Sequence, residues 1–373
     1  IVISRHGKIV YKKAFGMQDP QKKIPIAEDS IFRIYSMTKP ITAVAAMQLY
    51  EQGMFQLSDP VAKFVPELKH VKVLNATGQL EDQKTQITMH QLLTHTSGLS
   101  YGFAATVDVV DQAYLGADLW AAKNLDEFAL RVAKLPLKFQ PGAQYHYSIA
   151  VDITGLIVQR LSGLPFDVYL RKNLFEPLRM EDTFFEVPEN KIPRFLPNHI
   201  IDPQTGKLED ISKVSSNHPM AAFFLDRKNV AMVDYESVSL FSGGGGLVST
   251  ATDYLKFAEM LLNGGVYNGK RYLKEATLEL MTRDHLSEIL DDPDDPWSEH
   301  SFSLEDSSFG LGFRLNTIRD ESTGVVKTKQ YSWNGAAGTE FWIDPIDSLI
   351  NITLIQLLDN EWTLREDMEA LVY

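Results

Sequence analysis

Apolar and polar residues alternate at the two ends of this chain and take helical spacings in between. Ile1-Val2-Ile3-Ser4 and Ile9-Val10-Tyr11-Lys12-Lys13-Ala14-Phe15 flank Arg5-His6-Gly7-Lys8. That is a β-hairpin pattern in which Gly7 is free to take positive φ. The short alternating run Phe32-Arg33-Ile34-Tyr35 leads into Pro40-Ile41-Thr42-Ala43-Val44-Ala45-Ala46-Met47-Gln48-Leu49-Tyr50, which ends before Gly53. This Ala-rich run predicts a buried helix of about four turns. Ser36 suits its first position, Pro40 is tolerated in the first turn, and Gly53 suits the stop.

From residue 59 to 162 the pattern turns helical. Thr88-Met89-His90-Gln91 reads as a capping box ahead of Leu92-Leu93, with Gly98 as the stop. Residues 125–135, 149–161 and 166–174 are further amphipathic runs, and 190–236 is irregular and rich in Pro and Asn. Residues 250–262 predict a helix capped by Thr250 or Thr252 and stopped by Gly264-Gly265. The segments 309–315, 325–332, 339–343 and 349–357 are strand-like, and 361–373 closes the chain as a helix. Strands at both ends with helices between predict an α/β (α+β) arrangement: one antiparallel sheet built from the two termini, flanked by helices, with an inserted helical unit.

Composition narrows the classes. The 373 residues are 44% hydrophobic and 23% charged, enough for a large core in ordinary soluble usage. The net charge of −13 argues against nucleic acid or an anionic membrane as partner. With no cysteine, disulfides, thiolate catalysis and Cys-ligated zinc are excluded. No run approaches eighteen uninterrupted apolar residues, so no membrane-spanning helix is expected. Compartment and oligomeric state carry no sequence signal.

Candidate chemistry begins at Ser36-Met37-Thr38-Lys39. Residues three apart on a helix share a face. A serine hydroxyl needs a base to become nucleophilic, and a lysine serves when burial or a neighbouring cation lowers its pKa. The plainer alternative is an N-cap Ser beside a solvated Lys. Tyr147, in Pro141-Gly142-Ala143-Gln144-Tyr145-His146-Tyr147-Ser148 ahead of a helix, can project its phenol into a cleft. Beside Lys39 it would ionise more easily and shuttle protons to Ser36. The alternative is an aromatic anchor for the helix start. Tyr331-Ser332-Trp333-Asn334-Gly335-Ala336-Ala337-Gly338 lies between two predicted strands. There the Ala336 N–H can pair with that of Ser36 as an oxyanion hole, or the stretch can be a plain hairpin turn.

These three stretches, in this order and at these separations, resemble the serine β-lactamase and DD-peptidase superfamily. The pattern is most similar to class C β-lactamase-like esterases, the family VIII carboxylesterases. Leu92-Leu93-Thr94-His95-Thr96-Ser97-Gly98-Leu99 and Gly244-Gly245-Gly246-Leu247-Val248-Ser249-Thr250 also resemble that family. The resemblance implies a sheet domain from residues 1–58 and 237–373, a mainly helical domain from 59–236, and an active site in the cleft between them. It implies Ser36 as the acylated nucleophile, Lys39 and Tyr147 as general base and acid, and the Ser36 and Ala336 N–H groups as the oxyanion hole. Trp333, Asn334, Gly335, Tyr101 and Ile149 would bind substrate.

Departures from the β-lactamase pattern point to the substrate. Trp333 stands where those enzymes carry a lysine for a substrate carboxylate, and Ile149 where they carry an Asn for the acyl-side amide. A site lacking both loses charge-assisted and hydrogen-bonded recognition of β-lactams and peptide C-termini. A neutral ester needs neither. Lys327-Thr328-Lys329 lies too early to replace the missing element and lacks its glycine.

The expected activity is therefore hydrolysis of small carboxylic esters with short acyl chains, with no metal or other cofactor. The alternatives are a weak β-lactamase, a DD-peptidase, an acyltransferase, or a silent binding protein on the same fold. Gly98-Leu99-Ser100-Tyr101-Gly102 matches the G-x-S-x-G nucleophile elbow, but that elbow needs a strand before it and a helix after it. A helix is expected before Gly98 instead. The histidines show no zinc spacing; His95 reads as a structural hydrogen-bonder at a helix end, and His146 can reach the cleft or the surface. The acidic loop Asp291-Asp292-Pro293-Asp294-Asp295-Pro296 lacks the spaced ligands of a calcium site.

Overall fold

A computed structural model of the chain describes residues 1–20, 22–202, 205–211, 235–286, 307–319, 326–358 and 364–373. The acidic loop at 291–296 lies outside them. The N-terminal hairpin forms as its alternation predicts, from β1 (Val2–Arg5) and β2 (Lys8–Lys12). His6 and Gly7 both take positive φ, 50° and 71°, the geometry of a two-residue hairpin turn.

The late part of the chain contributes β3 (Ser307–Phe309), β4 (Arg314–Arg319), β5 (Val326–Asn334), β6 (Glu340–Asp344) and β7 (Leu349–Thr353). All pair antiparallel in one seven-stranded sheet of order β3-β4-β5-β6-β7-β1-β2. The first strand therefore sits between the last strand and β2, with Val2 opposite Ile352. Both termini build the sheet.

Helix α1 (Thr38–Glu51) buries every residue from Thr38 to Met47, and Lys39 is the one charge along that buried length. A helix apolar on all sides belongs in the interior, and α1 lies against α2 (Ala150–Ser162). Helix α3 (Ala251–Leu262) covers β7, β1 and β6, with Tyr254 against Phe341 at 4.9 Å between ring centroids. Thr250 caps α3 by accepting the Asp253 N–H, and Thr88 with Gln91 closes the predicted capping box on the helix Met89–Leu93. One cluster of buried apolar residues runs without a break from Val2 and Ile352 through Ala45 to Leu92, Phe128 and Ile153.

The helical expectation for residues 59–88 is replaced by turns. Val61, Val65 and Leu68 are buried at helical spacing. Pro60 and Pro66 limit the chain to the 3₁₀ turns Val61–Lys63 and Pro66–Leu68, followed by the small ladder Val73–Leu74 with Leu80–Glu81. The run from 166 divides as well, into the helix Phe166–Leu170, a π turn Arg171–Phe175 and a last α turn Glu176–Leu178.

Candidate active site

Ser36 does not cap α1. It sits in a 3₁₀ turn, Tyr35–Met37, and the helix begins only at Thr38, so its hydroxyl is free of the backbone. The turn is pinned from outside. Tyr35 takes φ 43°, a conformation a non-glycine residue holds only when its surroundings fix it. Its hydroxyl accepts from Asn198 Nδ2. Asn198 Oδ1 accepts from Gln356 Nε2 at 2.9 Å, and Gln356 Oε1 accepts the Arg33 N–H at 2.7 Å. On the far side, Thr38 Oγ1 accepts the Leu247 N–H at 3.1 Å.

The freed Ser36 hydroxyl meets two groups. Tyr147 OH donates to Ser36 Oγ at 2.6 Å, and Lys39 Nζ lies 3.1 Å from the same oxygen. Lys39 is only 1% exposed and donates to the Gly244 carbonyl at 2.7 Å. Its nitrogen also stands 4.5 Å over the Tyr147 ring and 5.1 Å over the Tyr101 ring. Burial lowers its pKa to about 7, with the charge of Asp152 opposing that fall. A lysine so placed is neutral for much of the physiological range and has a lone pair to offer.

The phenol behaves in the opposite way to the sequence expectation. Burial pushes the Tyr147 hydroxyl above its ordinary range, and its hydrogen bond to Ser36 only partly offsets this. Tyr147 is therefore a proton donor in this arrangement. It stands in the loop just before α2, held by His95: the His95 carbonyl accepts the His146 N–H at 2.8 Å, and His95 Nδ1 accepts the Ser148 N–H at 3.2 Å. His95 is buried and its pKa is well below the usual value through desolvation, with Lys39 contributing.

Trp333 follows Ser332 on β5, so the two side chains point to opposite faces of the sheet. Its ring centroid lies 5.4 Å from Tyr147 and 5.3 Å from Phe309. Asn334 ends β5 and is exposed; Gly335 is buried; Ala336 is exposed in the turn that follows. A Cβ on Gly335 would stand 2.5 Å from the Ile34 carbonyl and 2.2 Å from Thr339 Oγ1, so only glycine lets this turn rest on the segment preceding Ser36. Among the described residues, neither the Ser36 nor the Ala336 N–H is taken up by a main-chain carbonyl.

Tyr101 borders the same pocket. Its ring stacks on Phe103 at 4.9 Å and lies 5.2 Å from Tyr147. Ile149 is not brought to it. That side chain has no exposed surface and belongs to the core, because it stands at the N-cap of a helix whose first turns are buried.

Ser100 lies outside this group. It is 0% exposed, its hydroxyl donates to Asp111, and it lies 3.0 Å from His146 Nε2. Serine, histidine and aspartate do meet here, but the carboxylate holds the serine itself and does not orient the imidazole as a relay requires. The same oxygen accepts the Gly102 N–H at 3.1 Å. The cluster braces a loop. His146 is buried within it and does not enter the pocket. No group of three or more potential metal ligands occurs among the described residues.

One charged neighbour has no counterpart in the sequence expectations. Asp152, five residues beyond Tyr147, is fully buried against the Gly244 turn. Its sequence signal is no more than an acid in the first turn of a helix, a common placement.

The comparisons agree with this architecture. The Beta-lactamase family matches residues 1–371. Protein Rv1367c of Mycobacterium tuberculosis is 34% identical over 366 residues, spanning 94% of this chain and 83% of the relative. Esterase EstB of Burkholderia gladioli is 32% identical over 316 residues, spanning 78% and 75%. Among solved structures, EstCE1, described as a hydrolase with promiscuous acyltransferase activity, superposes with a TM-score of 0.73 at 21% identity, spanning 99% of this chain and 91% of its own.

Proposed function

The chain belongs to the Beta-lactamase family, and we propose that within it the protein is a serine carboxylesterase that cleaves small esters with short acyl chains. The observation that carries this reading is the meeting of Tyr147 OH and Lys39 Nζ on Ser36 Oγ, at 2.6 and 3.1 Å. The likeness to an esterase at 32% identity supports the choice of substrate class.

On this reading Ser36 Oγ attacks the ester carbonyl carbon and its proton passes to the neutral Lys39 amine. The Ser36 and Ala336 N–H groups receive the oxyanion. Collapse of the tetrahedral intermediate breaks the bond to the alcohol, which leaves with the Tyr147 proton, and Lys39 returns a proton to the phenol. Water then repeats the sequence on the acyl-enzyme, and the acid departs. Residues 59–236 supply the wall bearing Tyr147 and Tyr101, and residues 1–58 with 237–373 supply the wall bearing Ser36 and Trp333. An aromatic Trp333 in place of a cation favours a neutral ester over a carboxylate-bearing β-lactam.

A fluorophosphonate probe and p-nitrophenyl butyrate test this on the wild type, Ser36→Ala and Tyr147→Phe. Labelling and turnover are expected in the wild type, neither in Ser36→Ala, and slow turnover in Tyr147→Phe. Undiminished turnover in Ser36→Ala would refute the nucleophile. Nitrocefin turnover equal to ester turnover would favour the β-lactamase alternative. Butyl butyrate formed in the presence of butanol would reveal an acyltransferase.

A further inference from the structure

Helix α2 buries one carboxylate in its first turn, Asp152, at 1% exposure. Its two oxygens have different surroundings. Oδ1 accepts from Ser242 Oγ at 2.5 Å and from the Gly244 N–H at 3.0 Å. The carbonyl of that same Gly244 accepts from Lys39 Nζ at 2.7 Å. Oδ2 is fully buried and has no hydrogen-bond partner among the described residues. It faces a narrow space closed by Gly244 and Tyr101, where a Cβ on Gly244 would stand 2.5 Å from Oδ2 and 2.6 Å from the Tyr101 hydroxyl oxygen.

A buried carboxylate oxygen without a donor is costly unless an opposite charge lies near. Burial raises the Asp152 pKa, and the charge of Lys39 is the foremost influence opposing that rise, although neither carboxylate oxygen bonds to it. The other titratable groups around the pair are Tyr101, Tyr147 and His95. Burial holds both phenols above their ordinary range and His95 well below its own, so all three stay neutral near pH 7. Asp152 and Lys39 are the two groups of this set that can carry charge there.

We propose that Asp152 is a positioning residue for Lys39: Oδ1 locks the turn whose Gly244 carbonyl holds the amine, and Oδ2 sets a negative charge beside it. The glycine is then required because any side chain at 244 would collide with the carboxylate and the Tyr101 phenol. The inference rests on Lys39 as the base of the esterase reading. It adds a device that keeps the amine from losing its affinity for a proton altogether. A base buried with no counter-charge would take the Ser36 proton too weakly to help.

Asp152→Asn separates the two roles, since the amide oxygen can still accept from Ser242 and Gly244 while the charge is gone. The acid limb of the kcat/KM profile for p-nitrophenyl butyrate is expected to move down by about one to two pH units, the size of shift that a neighbouring unit charge produces in a protein interior. A limb left at the wild-type pH, with only the plateau lowered, would overturn the electrostatic role. If Asp152→Asn does not fold, Asp152→Glu gives the readout: the charge remains, so the limb stays while the plateau falls, and a limb displaced downward would overturn the proposal. Fluorophosphonate labelling of Lys39→Met tests the underlying reading separately. Rapid labelling there would remove Lys39 as base, whereas lost labelling together with an unmoved limb in Asp152→Asn would overturn the role of Asp152 alone.

Discussion

His95 grips Tyr147 through the backbone on either side of it, with its carbonyl on the His146 N–H and its Nδ1 on the Ser148 N–H, at 2.8 and 3.2 Å. Because Nδ1 accepts, the ring proton sits on Nε2. The position of the phenol over Ser36 therefore depends on a residue outside the Ser36, Lys39 and Tyr147 group.

His95 has φ 57°, which asparagine tolerates and β-branched residues do not. His95→Asn is expected to lower kcat with little change in KM and to cost about 1–3 kcal/mol of stability for the lost buried bond. Steady-state kinetics and thermal unfolding would show both; an unchanged kcat would mean that Tyr147 is held by other contacts.

With Lys39 acting as the neutral amine, as proposed, activity should be lost as pH falls through about 7, because protonation removes that form. Below that point kcat/KM falls about tenfold per pH unit. With Tyr147 acting as the protonated phenol, as proposed, and burial raising its pKa, no alkaline limb is expected below its ordinary 10.0. A pH profile with a neutral ester that is flat from 5 to 7 would contradict the assignment of Lys39.

Gly335→Ala places a methyl group 2.5 Å from the Ile34 carbonyl and 2.2 Å from Thr339 Oγ1, a contact that the turn can relieve only by moving away from the Ser36 segment. The expected loss in kcat is about 10²–10³-fold, that of an oxyanion donor displaced, with the far-ultraviolet spectrum unchanged. Wild-type kcat in a folded Gly335→Ala protein would remove the 336 N–H from the mechanism.

Ser100→Ala should keep fluorophosphonate labelling and ester turnover while lowering stability by about 1–3 kcal/mol, since Asp111 loses a buried donor. The converse result, with Ser100→Ala inactive and Ser36→Ala active, would transfer the nucleophile to the G-x-S-x-G stretch.

Local signals carried most of what the sequence could tell. The Thr88/Gln91 box, the Thr250 cap and the His6-Gly7 turn each close within a few residues, so their chemistry is written contiguously. The Ser36–Lys39 spacing is equally local. What stayed hidden depends on contacts across long separations. Asp152 acquires meaning only against Gly244, 92 residues away, and Tyr35 is fixed by Asn198, 163 residues away. Ile149 reads as a substrate-binding residue because the resemblance puts it where β-lactamases carry an Asn for the acyl-side amide, but the helix start turns it into the core. The 3₁₀ turn at Ser36 was also invisible, since a serine before an apolar helix ordinarily reads as its cap.

The pairing of β1 with β7 has a consequence for how the molecule comes into being. The strand at residues 2–5 is synthesised long before its partner at 349–353. Such a ladder has high contact order and must await closure of the long loop between the two strands. The hairpin therefore keeps one edge unpaired until residues 349–353 have been made, and a chain released before residue 349 would lack the strand that seats it.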